Sequence, residues 1–405
     1  MPQRWPRKPS LRRMLAEHRE AFLKVLGYMA VAAALGASWM LPLHWVGPAL
    51  SIVLVWFVWI QGKAWMRFAV ALSYYAAGSI GLVRGVAVFF GSHAPIWAGA
   101  ALWLGSATAL AMGWTVADRP WKAALVLLFD ALVPPMAFFD WMSPLASAGF
   151  FFPGSGVWGI GLLLVVVIGL GRHLDRMALA LLTMLLGFNL LWFRPGMVPA
   201  GWQGVDLNVG PAVPDVQANL ARHQRILAET LAKGRGARVL LLPETLETDW
   251  AGNAWAIQQA VPKGQIWLMG LSVPRQVGLL TDSIVAFQRG KAPEVLFDSA
   301  FPVPVSMWHP WSRGTGYVDS QNVGYRAAWW EPVRKIDGVR AWASICYDQL
   351  LPFVWMEALI QQPPVVLLTN NEWWAQGTGI PLVQRNTAWA WGRLLGAPEI
   401  EAENR

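Results

Sequence analysis

Seven apolar stretches follow one another in the first half of this chain, at about 21–43, 45–61, 65–90, 95–117, 121–140, 155–171 and 177–193. A helix needs about 20 predominantly apolar residues to cross a bilayer, with a range of roughly 17–25. That series therefore limits the fold more than any motif does. Only 14% of the 405 residues are charged, against roughly 25% in a soluble domain. The deficit lies between Ala21 and Phe193, and ordinary charge density returns from Arg194 onward. The sequence thus divides into a basic cytoplasmic tail (1–20), a transmembrane domain of about seven helices (21–193), a linker (194–202), a water-soluble domain (203–398) and a charged tail (399–405). The fifth stretch, interrupted by Asp130 and Pro134-Pro135, is the least regular of the seven.

The distribution of cations gives the orientation. The tail with Arg4, Arg7, Lys8, Arg12, Arg13 and Arg19 is too long, and lacks the cleavage site, for a removable signal peptide. Alternate loops hold Lys63 and Arg67, then Arg119 and Lys122, then Arg172, His173 and Arg176. The loops between them hold His44, then Ser92 to Pro95, then the Lys- and Arg-free stretch from Asp140 to Gly156. Cytoplasmic loops carry the excess of Lys and Arg. The N-terminus is therefore expected inside and everything after Phe193 outside, which in a bacterium is the periplasm. Trp45, Trp59, Trp65, Trp97, Trp114, Trp121 and Trp192 stand at the ends of apolar runs, as an interfacial belt or as core. The net charge of +8 belongs to this topology pattern, so no direct nucleic-acid partner is expected. Arg84 and Asp130 fall inside apolar runs, where charges are costly. Either they pair or bind a lipid headgroup, or Arg84 snorkels and Asp130 lies near a boundary.

Beyond Pro199-Ala200-Gly201 the pattern changes to short strands and helices. Strands are expected at Val205 to Val209, Val239 to Leu242, Gln265 to Leu271, Ser283 to Phe287, Glu294 to Phe297, Val339 to Ile345 and Val365 to Leu368. Helices are expected at 215–233, with an apolar stripe of Val216, Leu220, Ile226, Leu227 and Leu231, and at about 352–361 and 381–395. Apolar strands interleaved with helices give an α/β sheet covered on its faces.

Three strand ends carry polar residues: Glu244 after Val239 to Leu242, Cys346-Tyr347-Asp348 after Ile345, and Asn370-Asn371-Glu372 after Thr369. Open α/β folds place ligands at the carboxyl ends of strands. Taken singly, a rim glutamate is as well explained by capping and a cysteine in an apolar strand by packing; three together favour a site. Cys346 is the only cysteine, so no intrachain disulfide and no paired-thiolate zinc site can form. A thiol attacks a carbonyl once a base takes its proton. Glu244 can serve as that base, given burial that raises its pKa. No cofactor or metal is expected.

Leu242-Pro243-Glu244-Thr245, Thr281 to Val285, Ile345-Cys346-Tyr347-Asp348 and Leu368 to Trp373 resemble, in order and spacing, the blocks of the nitrilase (carbon–nitrogen hydrolase) superfamily over nearly all of 203–398. With the preceding helices, the whole is similar to apolipoprotein N-acyltransferase. That resemblance implies a polytopic membrane domain followed by an αββα sandwich. It implies Cys346 as a nucleophile that carries an acyl chain as a thioester and Glu244 as general base. It also implies a phospholipid acyl donor, with a lipoprotein or other envelope protein as acceptor. Ser299, Tyr347, Asp348, Asn370 and Asn371 would supply the oxyanion site or pocket. The superfamily's catalytic lysine falls on Ser299 and its closing glutamate on Met307. Losing an oxyanion donor costs about 10²–10³ in rate, and Lys291, Lys335 or Arg313 would have to substitute. The resemblance also makes the domain C-terminally shortened, its last strands and closing helix missing, with 399–405 no replacement.

The wording of 302–308, Pro-Val-Pro-Val-Ser-Met-Trp, further resembles TraB-type conjugal transfer proteins of bacterial plasmids. Three functions follow in order. The first is a membrane-bound Cys-dependent acyltransferase or amidase in plasmid transfer. The second is a catalytically impaired nitrilase-like scaffold that docks conjugation machinery. A transporter comes last, because no repeated Gly/Pro-interrupted spans are seen.

Overall fold

The computed structural model describes residues 11–90, 96–170, 173–213, 215–246, 250–276, 279–304, 306–308 and 324–405. Its first half is helical: α1 (Leu11–Ala37), α2 (Val46–Trp59), α3 (Ala64–Gly78), α4 (Gly81–Phe90), α5 (Ile96–Gly113), α6 (Pro120–Leu132), α7 (Ser147–Phe151), α8 (Val157–Leu170) and α9 (Leu174–Leu186), the last continuing as a π-helical turn over Gly187–Trp192. Every one of the seven apolar stretches holds a helix. By length and composition two are able to cross a bilayer, Phe22–Met40 and Asp175–Trp192. A third is added if Ala64–Gly78 and Gly81–Phe89, bent by 45°, count as one span. Val46–Trp59 and Val157–Gly169 are apolar but shorter. Trp45, Trp65, Trp97, Trp121 and Trp192 are exposed, as an interfacial belt requires, whereas Trp114 is fully buried and belongs to the core. Arg84 is exposed and Asp130 buried, with no ion pair between them. Arg4, Arg7, Lys8, Ser92 to Pro95, Arg172 and Arg313 lie outside the described residues.

The second half contains β1 (Trp202–Gly204), α10 (Val216–Lys233), β2 (Val239–Leu241), α11 (Trp250–Ala260), β3 (Ile266–Gln276), β4 (Leu279–Phe287), β5 (Glu294–Asp298), β6 (Gly324–Tyr325), β7 (Arg334–Ile336), β8 (Val339–Ile345), α12 (Pro352–Gln361), β9 (Val366–Asn371), α13 (Ile380–Leu395) and β10 (Glu399–Asn404). One sheet runs β1-β2-β3-β4-β5, with β6 beside β4; the other runs β10-β9-β8-β7. Parallel pairs join β1, β2 and β3 in the first sheet and β8, β9 and β10 in the second, while antiparallel strands form the opposite edges.

Strand periodicity explains the layers. Val239 and Leu241 of β2 face Ala341, Ala343 and Ile345 of β8 in a core between the sheets. Leu240 and Leu242, one residue out of phase, face α10 and α11. Trp342, Val366 and Leu368 turn the other way, toward α12, α13 and the helical half. The order is helices, sheet, sheet, helices, an αββα arrangement. Asp215 caps α10 through Ala218 N at 2.6 Å, as expected of an Asp before an apolar run.

Three expectations change. The segment 399–405 is no loose tail. Glu399–Asn404 is β10, paired residue by residue with β9 from Glu399↔Val366 to Asn404↔Asn371, with Ile400 and Ala402 in the core between the sheets. The alternation of Ile400 and Ala402 with three glutamates hid it, because the charge count masked a period-two apolar face. Strand β1 begins within the expected linker, and 205–209 carries a single bridge, Leu207 to Asn404, where a strand was expected. On α10 the buried face is Arg222, His223, Ile226 and Thr230, leaving Val216 and Leu220 exposed. Arg222 is drawn inward to the carbonyl of Gly210 at 2.9 Å and to that of Leu246.

The two halves share one continuous core. Asn386 of α13 donates to the carbonyls of Trp39 at 2.7 Å and Leu41 at 3.0 Å, and Thr387 to that of Trp141 at 3.1 Å. At Gly149 on α7 a Cβ would lie 1.7 Å from the Ala390 carbonyl oxygen, so the helix backbones touch. His44 meets Asn386 at 3.0 Å. The loops holding His44 and Trp141 thus face the α/β half. Arg67, by contrast, binds the carbonyls of Gln61 and Thr115 at the opposite end of α2.

Candidate active site

The site forms where β2 and β8 end. After Ile345 the chain turns at Cys346, whose φ of +49° is left-handed, a conformation an L residue adopts at a cost. The turn leaves Cys346 half-buried at the mouth of the site. Glu244 stands at the end of β2, and Gly270 on β3 makes room for it, since a Cβ there would lie 2.3 Å from Glu244 Cα. The Glu244 carboxyl lies beside the Cys346 thiol, close enough for the two to interact, and its Oε2 is buried without a hydrogen-bond partner. Burial holds Glu244 above the ordinary carboxylate range. Burial also pushes the thiol up, and the negative field of Glu244 pushes it in the same direction. The resting sulfur is therefore a protonated thiol lying against a basic carboxyl, the pairing that proton transfer before nucleophilic attack needs.

Both groups open onto a cavity of about 330 Å³ between the two halves of the molecule. Leu82, Val86 and Phe89 of α4 and Ala98 and Leu102 of α5 form one wall, Trp373 and Trp374 another, and Val303, Pro304 and Met307 a third. The polar residues of the lining include Glu244, Thr245, Cys346, Asn371 and Gln384 on the floor and Ser306 in the third wall. Among the described residues no Lys, Arg or His lines the cavity. Among the same residues no group of three or more His, Cys, Asp or Glu is placed to hold a metal ion.

Of the seven residues singled out from sequence, Cys346, Glu244, Tyr347 and Asn371 line this cavity and Ser299, Asp348 and Asn370 do not. Ser299 is buried beside Asp348 and does not line the cavity. Asp348 accepts from Ala300 N at 3.0 Å and Phe301 N at 2.8 Å, fastening the loop after β5 to the turn at Cys346. Burial pushes its carboxyl up to about 7. Asn370 lies behind the floor, accepting from Gln349 at 2.8 Å and Gln384 at 2.5 Å. Tyr347 reaches the helical half, donating to Phe138 O at 2.5 Å and accepting from Trp141 Nε1 at 2.7 Å. Lys291 and Lys335 are exposed and away from the cavity, so neither replaces the missing cation.

Sequence reasoning missed Gln384, which donates to the Cys346 carbonyl at 2.9 Å and so supports the strained turn. It also missed the aromatic and aliphatic wall. Neither carries a local signal, because both depend on helices far apart in sequence. Asp282 was legible only as part of a block, and its position against Glu244 was not.

No family model matches the chain. Two curated proteins do. "Conjugal transfer protein TraB" of Agrobacterium fabrum is 30% identical, with 89% of each chain covered. "Probable conjugal transfer protein TraB" of Sinorhizobium fredii is 31% identical over 89% of this chain and 94% of its own. Among solved structures, an amidase of the nitrilase superfamily from Nesterenkonia aligns with a TM-score of 0.30 and 17% identity, covering 44% of this chain and 68% of its own. A carbon–nitrogen hydrolase from Helicobacter pylori aligns with a TM-score of 0.30 and 12% identity, covering 42% and 59%.

Proposed function

This chain belongs to the TraB family of conjugal transfer proteins, and on that premise we propose that it is a multi-pass inner-membrane enzyme of plasmid transfer, with Cys346 accepting an acyl group as a thioester. Glu244 takes the thiol proton as sulfur attacks the acyl carbonyl and returns it to the departing group. A second nucleophile, an envelope amine or water, then releases the acyl group. The observation that carries this reading is the contact of the chain's one thiol with a buried carboxyl on the floor of an apolar cavity. Each buried methylene contributes about 0.8 kcal/mol, so walls of Leu, Val, Phe and Trp favour an alkyl chain over a polar amide side chain. Location between the sandwich and helices α4 and α5 supports a donor drawn from the lipid phase.

The test combines conjugation and mass spectrometry. Cys346→Ala should abolish the protein's contribution to plasmid transfer at unchanged protein level. The wild-type protein should carry an acyl adduct on Cys346 that hydroxylamine removes. Wild-type transfer frequency in the variant would remove the enzymatic reading. A second reading, a docking scaffold without catalysis, is favoured by Ser299 at the lysine position and by the absence of a cation from the described cavity lining. For a scaffold, Cys346→Ala is silent and deletion of 202–405 is not.

A further inference from the structure

Glu244 has a second carboxyl against it. Asp282 stands on β4, opposite Ser272 of β3. It is 2% exposed where Glu244 is 5% exposed, and the two carboxyl groups lie close enough to interact directly. The Thr245 hydroxyl lies between them, 3.4 Å from Glu244 Oε1 and 3.3 Å from Asp282 Oδ1. Two carboxylates cannot touch in a buried site with both charged; one proton must stay between them.

Among the described residues, the remaining titratable groups facing the pair are the Cys346 thiol, Asp348 and the Tyr325 phenol, all of them acids. Tyr325 is bonded to Ser272 at 2.7 Å. Arg275, on β3, binds the Thr281 hydroxyl at 3.0 Å and Asp298 at 2.7 Å.

We propose that Glu244 and Asp282 act as one unit, a carboxyl pair holding a single shared proton, and that this pair is the base serving Cys346. Asp282 does not line the cavity and works through Glu244, so it is a positioning residue. The chemistry rests on the acyl-transfer reading; the shared proton does not. At rest the pair carries one negative charge and the sulfur is a neutral thiol. On attack the S–H bond breaks, its proton passes to Glu244, and the C–S bond forms as the carbonyl oxygen takes the charge. The pair is then neutral. As the tetrahedral centre collapses, the bond to the leaving group breaks, Glu244 protonates that group, and the pair returns to one charge. Asp282 keeps its proton throughout. It thereby prevents a doubly charged pair from opposing a thiolate beside it.

Because the chain has one cysteine, iodoacetamide alkylation of the full-length protein in detergent, followed by intact mass, reads Cys346 alone and needs no substrate. Asp282→Asn can still donate a hydrogen bond to Glu244 but cannot ionise. The wild-type rate against pH should show two ionisations, that of the thiol and that of the pair's remaining proton. In Asp282→Asn the second should vanish, and the thiol midpoint should fall by about one pH unit or more. Superimposable profiles overturn the proposal. Should Asp282→Asn fail to accumulate, Glu244→Gln carries the same question by infrared difference spectroscopy at neutral pH. The carbonyl stretch of a protonated carboxylic acid is expected to differ from wild type, and an unchanged band overturns the proposal. Plasmid transfer with Cys346→Ala reads the acyl-transfer function separately, so failure of one idea is distinguishable from failure of the other.

Discussion

At Cys346 the backbone adopts a conformation costing on the order of 1–3 kcal/mol, sustained only where neighbours over-determine it. Two neighbours do so. Gln384 holds the Cys346 carbonyl, and Asp348 gathers the amides of Ala300, Phe301 and, at 3.4 Å, Ile345. Removing that carboxyl leaves buried N–H groups without acceptors, each costing about 1–3 kcal/mol. Asp348→Ala is therefore expected to lower the thermal midpoint by many degrees, while Asp348→Asn, which keeps one acceptor oxygen, lowers it less. Equal midpoints for the two variants would show that these bonds do not support the turn. Cys346 and Glu244 could be identified from sequence because each follows an apolar strand directly. Asp348 was visible too, but as a pocket residue; its work as a staple depends on a loop some fifty positions earlier and has no local mark.

Among the elements, β10 shows how composition misleads. A segment reading Glu-Ile-Glu-Ala-Glu-Asn looks like a solvated tail, yet it completes the second sheet. Its outward Glu403 is buried against Arg385 at 3.1 Å and Arg405 at 2.6 Å, so the charge is paired. Burying Ile400 alone contributes about 1.5–3 kcal/mol, and β10 also supplies the paired edge that β9 otherwise lacks. Ending the chain at Pro398 should make the α/β half readily cleaved by protease in membranes where the full chain resists. Unchanged resistance would mean β9 tolerates an open edge. Strands β8 and β2 and helices α12 and α13 fell within a residue or two of expectation, because each carries a clean apolar period between turn signals.

For the whole molecule, the decisive relation is between loop charge and the position of the sandwich. The loops holding His44 and Trp141 meet α13, and Arg67 binds the Thr115 carbonyl at the other end of α2. If the positive-inside bias operates here, a reporter joined after Gly201 should be active in the periplasm and silent in the cytoplasm. The reverse pattern would invert the molecule and put the sandwich on the cytoplasmic side. The cavity itself exists only at this scale, since its apolar wall comes from α4 and α5 and its reactive floor from β2, β8 and β9.

By itself the sequence determined the division into an apolar helical half and an α/β half, the alternation of strands and helices in the second, and the placement of a thiol and an acid at strand ends. These are local properties, written in hydrophobic period and charge density over a few residues. Only the tertiary structure decided that β10 closes the second sheet, that Ser299 turns away from the cavity, and that Asp282 lies against Glu244. Each of those depends on side chains from separate strands sharing a buried volume, where proximity rather than residue type sets which groups ionise and which partners they find.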